Sequence, residues 1–225
     1  GMRKALRISS GIQSVSNFRP TAARAIYDRY GGDGIVWDMS CGYGGRLLGA
    51  ITSKQVKRYI GTDPDTRTYA GLLEMKKNLS GWGSDSVFTK KNTTLIDIYN
   101  SGSEMFRPDK DSLDLCFTSP PYFNTEKYST EDSQSYLKFP TKELWLKNFL
   151  MKTVEHCVYG LKNGGFLLLN ISNVKPYQDL ETDFVENVRR KFPQMVQKET
   201  IDYLLSFMGK TEYKKEPIFV FQKDS

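Results

Sequence analysis

The sequence predicts an α/β fold: a seven-stranded, mostly parallel sheet with an antiparallel last strand and helices on both faces. Short apolar runs alternate with amphipathic stretches along the 225 residues, which is typical of βαβ units. A glycine-rich turn follows the first apolar run, and such turns are typical of the connection between a parallel strand and the helix after it. The last two apolar runs are joined by a short loop, which predicts an antiparallel pair.

Apolar runs and the residues that interrupt them define the elements of the first half of the chain. Ile35-Val36-Trp37 predicts a buried strand that ends at Asp38, and a glycine-rich turn leads from it into a helix. The predicted elements are strands at 35–38 and 58–61, a short strand that begins at 87–88, a strand at 113–118, a helix that begins at 46, and a helix at 66–79 that Gly81 ends.

The clearest helix lies in the second half, after Pro140. Apolar residues recur with helical spacing from Leu146 to Leu161, and Asn163-Gly164-Gly165 is expected to close the helix with a left-handed turn. The remaining predicted elements are a strand at 166–169, a helix at 180–192 stopped by Pro193, and strands at 199–207 and 218–222.

Two stretches, residues 100–111 and 123–142, lack a clear period, and long irregular loops in compact domains are usually functional.

The length predicts one domain, residues 1–225, because domains average ~150 residues. The formal net charge is +6, and residues 1–30 contain six Lys or Arg against one Asp. A basic N-terminal arm with its helix on a near-neutral body suggests a polyanionic partner, and a solvated tail is the alternative.

The composition excludes several kinds of site. The single histidine, His156, and the cysteines Cys41, Cys116 and Cys157 lack the spacing of zinc ligands, so no metal is expected. Unpatterned cysteines are typical of a reducing compartment, which predicts a cytoplasmic location. The longest apolar run, residues 166–169, is far shorter than the ~20 residues of a membrane span, and no secretory signal is recognisable.

The turn at residues 38–45, Asp-Met-Ser-Cys-Gly-Tyr-Gly-Gly, predicts a ligand site. Small residues between a strand and a helix let the backbone approach a ligand and expose the first amide groups of the helix. Asp63 ends the next strand, where an acid can accept both hydroxyls of a ribose. The pair favours a nucleoside-containing cofactor over a tight turn with a helix cap, and Leu47 in place of a third glycine argues against a nicotinamide cofactor.

The tetrapeptide Ser119-Pro120-Pro121-Tyr122 directly follows the fourth predicted strand. Prolines donate no hydrogen bond, so this corner presents mainly acceptors: the carbonyls of Ser119 and Pro120 and the Ser119 hydroxyl. Acceptors beside an aromatic ring suit a planar group that carries an NH₂, with Tyr122 stacking on its ring. The alternative is a proline turn with Tyr122 packed in the core.

The chain resembles the class I S-adenosylmethionine-dependent methyltransferases of the exocyclic-amino DNA type, which have a Rossmann-like fold and methylate N6 of adenine or N4 of cytosine. The resemblance covers nearly the whole chain, and Asn17–Thr21 resembles the segment that contacts the methionine end of the cofactor. It implies the cofactor residues Phe18, Arg19, Thr21, Asp38, Ser40, Cys41, Gly42, Gly44, Gly45, Asp63 and Pro64, and the catalytic residues Ser119, Pro120, Pro121 and Tyr122. The candidate nucleic-acid contacts are Arg3, Lys4 and Arg7 in the arm, and Phe123 and Asn124 after the tetrapeptide.

The resemblance therefore implies a DNA methyltransferase of the restriction-modification kind that uses S-adenosyl-L-methionine. The acceptors of the tetrapeptide would hold the amine while its lone pair meets the activated methyl group, so no histidine is needed. Residues 123–142 are the candidate target-recognition loop, and target selection is short, loose or supplied by a partner subunit. The target base stays open. The alternatives are an RNA or protein-glutamine methyltransferase of the same fold and a non-catalytic nucleic-acid-binding module.

Overall fold

The computed structural model describes residues 17–32, 34–79, 94–205 and 214–224. The predicted strand start at Val87-Phe88 and the arm residues Arg3, Lys4 and Arg7 lie outside these ranges. Within them the chain forms a seven-stranded sheet of order β3-β2-β1-β4-β5-β7-β6. The strands are β1 (Ile35–Asp38), β2 (Arg58–Asp63), β3 (Leu95–Asn100), β4 (Leu113–Thr118), β5 (Leu161–Asn170), β6 (Met195–Leu205) and β7 (Lys214–Lys223).

The neighbours among β1 to β5 pair in parallel, and β7 pairs antiparallel with both β5 and β6. The predicted fold class is confirmed, including the antiparallel last strand. Strand order reverses between β1 and β4, and ligands of open α/β sheets bind at the carboxyl ends of strands at such a switch point.

Helices cover both faces of the sheet, and each face has its own apolar core. Trp37 and Cys116 face one core, whereas their sequence neighbours Val36 and Phe117 face the other, because successive strand side chains alternate. On the Val36 face lie α1 (Pro20–Tyr30), α2 (Gly45–Thr52) and α3 (Thr66–Leu79). The other helical segments are α4 (Ser135–Lys138), α5 (Lys142–Leu144), a π-helical turn (Trp145–Leu150), α6 (Met151–Gly160) and α7 (Leu180–Lys191).

Three details differ from the sequence prediction. The structure contains a strand at Leu95–Asn100, where no strand was predicted. The helix after Pro140 includes a π-helical turn and ends at Gly160. Gly164 has the expected left-handed φ of 80°, but it lies inside β5, near a register shift against β4. None of the described helices is long and apolar enough to cross a membrane.

Candidate functional site

A cavity lies at the carboxyl ends of β1, β2 and β4, at the switch point of the sheet. It brings together nine of the predicted site residues. They are Phe18, Ser40, Cys41, Gly42, Asp63, Pro64, Ser119, Pro121 and Tyr122. The other predicted residues that the structure describes do not line the cavity, and the following paragraphs give their positions.

The glycine-rich turn has the backbone that the sequence predicts. Gly42 and Gly44 have φ values of 53° and 80°, in the left-handed region that glycine adopts without strain. Gly44 is the N-cap of α2, so the first amide groups of that helix point toward the N-terminal segment and the turn. A Cβ on Gly45 would collide with the Phe18 carbonyl oxygen, and the Gly45 amide donates to Asn17 Oδ1 at 3.2 Å. Gly45 therefore permits the close approach of two backbone segments.

Asp38 stabilises the turn through a buried hydrogen-bond network and does not line the cavity. Its fully buried carboxylate accepts from Arg46 Nε at 2.9 Å, from the Tyr59 hydroxyl at 2.7 Å and from Thr118 Oγ1 at 2.9 Å. Arg46 also donates to the Ser40 carbonyl oxygen. The network ties the turn after β1 to the end of β4. Asp38, a predicted cofactor residue, is thus occupied by protein donors.

Asp63 occupies the predicted place at the end of β2. Its Oδ2 accepts from the Gly42 amide at 3.0 Å and its Oδ1 from the Asp65 amide at 3.1 Å. Burial raises the pKa of Asp63 to about 6, although both amides favour the ionised form. An ionised Asp63 carboxylate on the cavity wall has lone pairs left for two further donors, such as the hydroxyls of a ribose.

The N-terminal segment packs against the turn through Phe18. The Phe18 ring stacks on Tyr203 of β6 with a centroid distance of 4.4 Å, and the Arg19 amide donates to the Tyr203 hydroxyl at 3.1 Å. The side chains of Arg19 and Thr21 are exposed and do not line the cavity. Only Phe18 of the predicted contacts in this segment reaches the cavity.

The Ser119–Tyr122 corner lies at the end of β4, with Pro120 buried behind it. The Tyr122 oxygen lies 3.1 Å from the Asn170 carbonyl oxygen and 3.3 Å from Glu216 Oε2, two acceptors for its single hydrogen, and 3.5 Å from Ser119 Oγ. Tyr122 is 7 % exposed. Its hydroxyl edge is fixed by the protein, so only the part of the ring on the cavity wall is open to a base.

Residues 123–142 pack over the cavity. Glu131 accepts from the Thr66 amide at the start of α3 at 3.2 Å, and Ser133 Oγ donates to the Pro64 carbonyl oxygen at 3.1 Å. Lys138 forms an ion pair with Glu104. The loop that the sequence suggested for target recognition is therefore attached to α3 and to the residues that follow β2 and β3.

The two candidate nucleic-acid contacts in this loop differ in exposure. Asn124 is exposed. Phe123 is 5 % exposed and packs edge-on against Trp145 and Tyr177, at centroid distances of 6.1 and 6.3 Å. A surface role for Phe123 is not compatible with this placement, because its ring fills the apolar core beneath the loop.

Sequence reasoning missed several cavity residues because they belong to no recognisable motif. The cavity also includes Gly102–Glu104 beyond β3, Asn170 at the end of β5, Tyr203 of β6 and Glu216 of β7. For Glu216 one signal was available. The predicted antiparallel last strand starts next to the end of β5, so a residue at its start lies near the cavity. Among the described residues no group of three His, Cys, Asp or Glu side chains is arranged to hold a metal ion.

No protein-family model matches the chain, and no curated protein sequence does. Solved structures do match it. A candidate RNA methyltransferase from Pyrococcus horikoshii is 13 % identical over 99 % of this chain and 100 % of its own, with a TM-score of 0.56. An rRNA methylase from Streptococcus thermophilus is 14 % identical over 94 % of this chain and 100 % of its own, with a TM-score of 0.51. A geranyl diphosphate C-methyltransferase from Streptomyces coelicolor, solved with S-adenosyl-L-homocysteine, is 11 % identical over 90 % of this chain and 77 % of its own, with a TM-score of 0.56. The chain therefore has the Rossmann-like fold of class I methyltransferases.

Proposed function

We propose that the protein transfers a methyl group from S-adenosyl-L-methionine to an exocyclic amino group of a nucleic-acid base. The observation that carries the proposal is the shared cavity of the glycine-rich turn, Asp63 and the Ser119–Tyr122 corner. The cofactor assignment is supported by structures of this fold that contain S-adenosylmethionine or S-adenosyl-L-homocysteine.

The residues of the cavity fit this cofactor. Asp63 offers acceptors for the ribose, and the tight turn at Gly42 leaves its backbone close to the ligand. The sheet order continues from β2 to β3, so the adenine would lie against Gly102–Glu104, beyond β3. The methionine end would point toward Phe18 and the end of β4.

The chemistry assigned to the chain is alignment of an amine. The bound cofactor supplies a methyl group already activated by its sulfonium. The Ser119 hydroxyl, with the main-chain acceptors of the corner, would accept the amine hydrogens and hold the nitrogen lone pair toward the methyl group. Acceptors preorganised for developing positive charge typically contribute ~3 kcal/mol each to transition-state stabilisation.

DNA is the proposed substrate, in line with the motif resemblance and the basic residues Arg3, Lys4 and Arg7. Within this proposal target selection is short, loose or supplied by a partner subunit, and the role is of the restriction-modification kind. The three buried, free cysteines fit a reducing cytoplasm.

RNA is the second candidate substrate. The solved structures from P. horikoshii and S. thermophilus, which share the fold along nearly the whole chain, are described as RNA methylating proteins. The motif chemistry does not distinguish RNA from DNA, because both carry the same exocyclic amines.

Transfer of a labelled methyl group to DNA, RNA and protein, followed by nucleoside analysis, tests the proposal. We expect N6-methyladenine or N4-methylcytosine in DNA, and loss of the label with Ser119→Ala. Label in RNA alone would favour the second candidate. Label in protein alone, or no cofactor binding, would contradict the proposal.

A further inference from the structure

We propose that Glu216 is the terminal proton acceptor of the methyl transfer and receives the amine proton through the hydroxyls of Ser119 and Tyr122. The proposal deepens the proposed function and rests on it. The juxtaposition that carries it is a carboxylate of β7 beside the hydroxyl edge of the corner formed by residues 119–122.

The reversed direction of β7 brings Glu216 to the cavity. Ile218 pairs with Asn170, the last residue of β5, so the start of β7 meets the carboxyl ends of the parallel strands. The Pro217 carbonyl oxygen accepts from Asn170 Nδ2 at 3.0 Å and from the Ile171 amide at 3.3 Å. These bonds fix the backbone on either side of the cavity wall on which Glu216 lies.

Glu216 is a buried carboxylate next to the Ser119–Tyr122 corner. The residue is 8 % exposed, and a carboxylate in such a place needs hydrogen-bond donors to offset the lost hydration. One donor is the Tyr122 hydroxyl at 3.3 Å. Apolar packing alone would be served better by a residue without charge at this position.

Three groups form a path from the target amine to Glu216. Ser119 Oγ lies 3.5 Å from the Tyr122 hydroxyl, which lies 3.3 Å from Glu216 Oε2. The Asn170 carbonyl oxygen, 3.1 Å from the Tyr122 oxygen, is the other acceptor for the Tyr122 hydrogen, so the path is open when this hydrogen points to Glu216. Hydrogen bonds of catalytic groups are often long in the absence of substrate and tighten in the complex. Burial, followed by the charge of Glu216, raises the pKa of Tyr122 well above its usual value, so its oxygen stays protonated at neutral pH and releases its proton only as it gains one from Ser119.

The proton balance closes along this path. The nitrogen lone pair forms the N–C bond while the C–S bond breaks toward sulfur, which leaves a positive charge and one surplus proton on nitrogen. That proton moves to Ser119 Oγ, the Ser119 hydroxyl proton moves to the Tyr122 oxygen, and the Tyr122 proton moves to the Glu216 carboxylate. Neutral Glu216 then releases the proton to water at the cavity mouth. Before this step its negative charge favours the positive charge that develops on the amine.

Glu216→Gln tests the proposal with little change in shape. The amide can still accept from Tyr122 but carries no charge and takes no proton at neutral pH. We expect the turnover number on the nucleic-acid substrate to fall at least about tenfold, as for loss of a general base, with unchanged cofactor affinity by calorimetry. Tyr122→Phe, which keeps the ring and breaks the path, should give a similar loss. The double variant should be no slower than either single variant, because both interrupt one path.

Glu199→Gln is the matched control. Glu199 also accepts from a tyrosine hydroxyl, that of Tyr30 at 2.7 Å, but it does not line the cavity. Its turnover should equal that of the wild type. A readout independent of turnover is the titration of ¹³Cζ-labelled Tyr122, which should move to lower pH in Glu216→Gln because the neighbouring negative charge is removed.

Wild-type turnover in Glu216→Gln, or single losses that multiply in the double variant, would overturn the proposal while the methyltransferase assignment stands. If Glu216→Gln does not fold, Tyr122→Phe decides alone, and a wild-type rate for it overturns the proposal. A wild-type protein that transfers no methyl group to DNA or RNA would overturn both the proposed function and this inference.

Discussion

At the scale of single residues, Asp63 is the side chain whose replacement tests the cofactor site most directly. We expect Asp63→Ala to weaken S-adenosylmethionine binding by ~1.5–3 kcal/mol, the usual cost of losing charged hydrogen bonds to a ligand. Isothermal calorimetry gives the affinity, and a thermal melt confirms that the variant is folded. Unchanged affinity in a folded variant would show that Asp63 does not bind the cofactor.

The pKa of Asp63 predicts how cofactor binding depends on pH. Burial raises this pKa from 3.8 to about 6, so the carboxyl is ionised at neutral pH and gains a proton as the pH falls through 6. Because the ionised form is the better acceptor for ribose hydroxyls, affinity should be highest above pH 6 and decline below it, up to about tenfold per pH unit. Titrations between pH 5 and 8 measure the decline. Asp63→Asn should flatten the profile, and an equally steep profile in that variant would assign the proton to another group.

Asp38 should matter more for stability than its predicted role in cofactor binding suggested. Asp38→Asn removes the charge that pairs with Arg46, whose side chain is 6 % exposed. Breaking a buried pair typically costs about 3–5 kcal/mol in the free energy of unfolding, because an unpaired charge stays buried. Urea unfolding measures the loss. Asp97→Asn is the matched control: its pair with Arg58 is about one-third exposed, so it should cost under about 1 kcal/mol. Equal effects of the two substitutions would refute the interpretation.

At the scale of elements, the loop of residues 123–142 should control how long the cofactor stays bound. Glu131 accepts a hydrogen bond from the Thr66 amide at the start of α3, and Ser133 donates one to the Pro64 carbonyl oxygen, next to Asp63. We expect Glu131→Ala to raise the dissociation rate of S-adenosylmethionine several-fold, because opening of the loop becomes easier. Stopped-flow displacement measures the rate. Glu155→Ala, in the exposed pair with Lys152 on α6, should leave it unchanged.

The strands that the sequence predicts well and the one that it misses differ in burial. β4 is buried at five of its six positions and is recognisable as an apolar run. β3 is an edge strand in which only Ile96 and Ile98 are buried, so its apolar signal is too sparse to recognise. The spacing of apolar residues after Pro140 correctly predicted a helix and its buried face. A period of 3.6 residues does not reveal a π-helical turn such as Trp145–Leu150.

At the scale of the whole molecule, the charge distribution of the sequence predicts that the basic arm contacts a polyanionic partner. Arg3, Lys4 and Arg7 precede the segment that packs on the turn. If all three contact phosphates, deleting residues 2–8 should flatten the plot of log affinity for duplex DNA against log salt by up to ~2.7 units, at ~0.9 per phosphate. Cofactor affinity should stay the same, because Phe18 is retained. An unchanged salt slope would indicate a solvated tail, and a loss confined to one sequence would indicate groove reading.

Motifs of contiguous residues made the main walls of the cavity predictable. The turn around Gly42, Asp63 and the Ser119–Tyr122 corner each follow a recognisable strand, and parallel strands bring their carboxyl ends to one edge. Glu104, Asn170 and Glu216 carry no such signal, because their positions depend on strand pairing and loop packing far along the chain. The sequence therefore predicts the fold and the motifs of the site but not the groups that complete it.

The position of β7 also has a consequence for when the protein becomes functional during synthesis. β7 follows every other strand in the chain, yet it is inserted between β5 and β6, and the strand partner of β6 is β7. Until β7 leaves the ribosome, the edge of β5 is open, β6 has no partner strand, and Tyr122 lacks Glu216. A nascent chain ending before residue 214 would contain the whole glycine-rich turn, but the Ser119–Tyr122 corner would lack the contact of Tyr122 with Glu216.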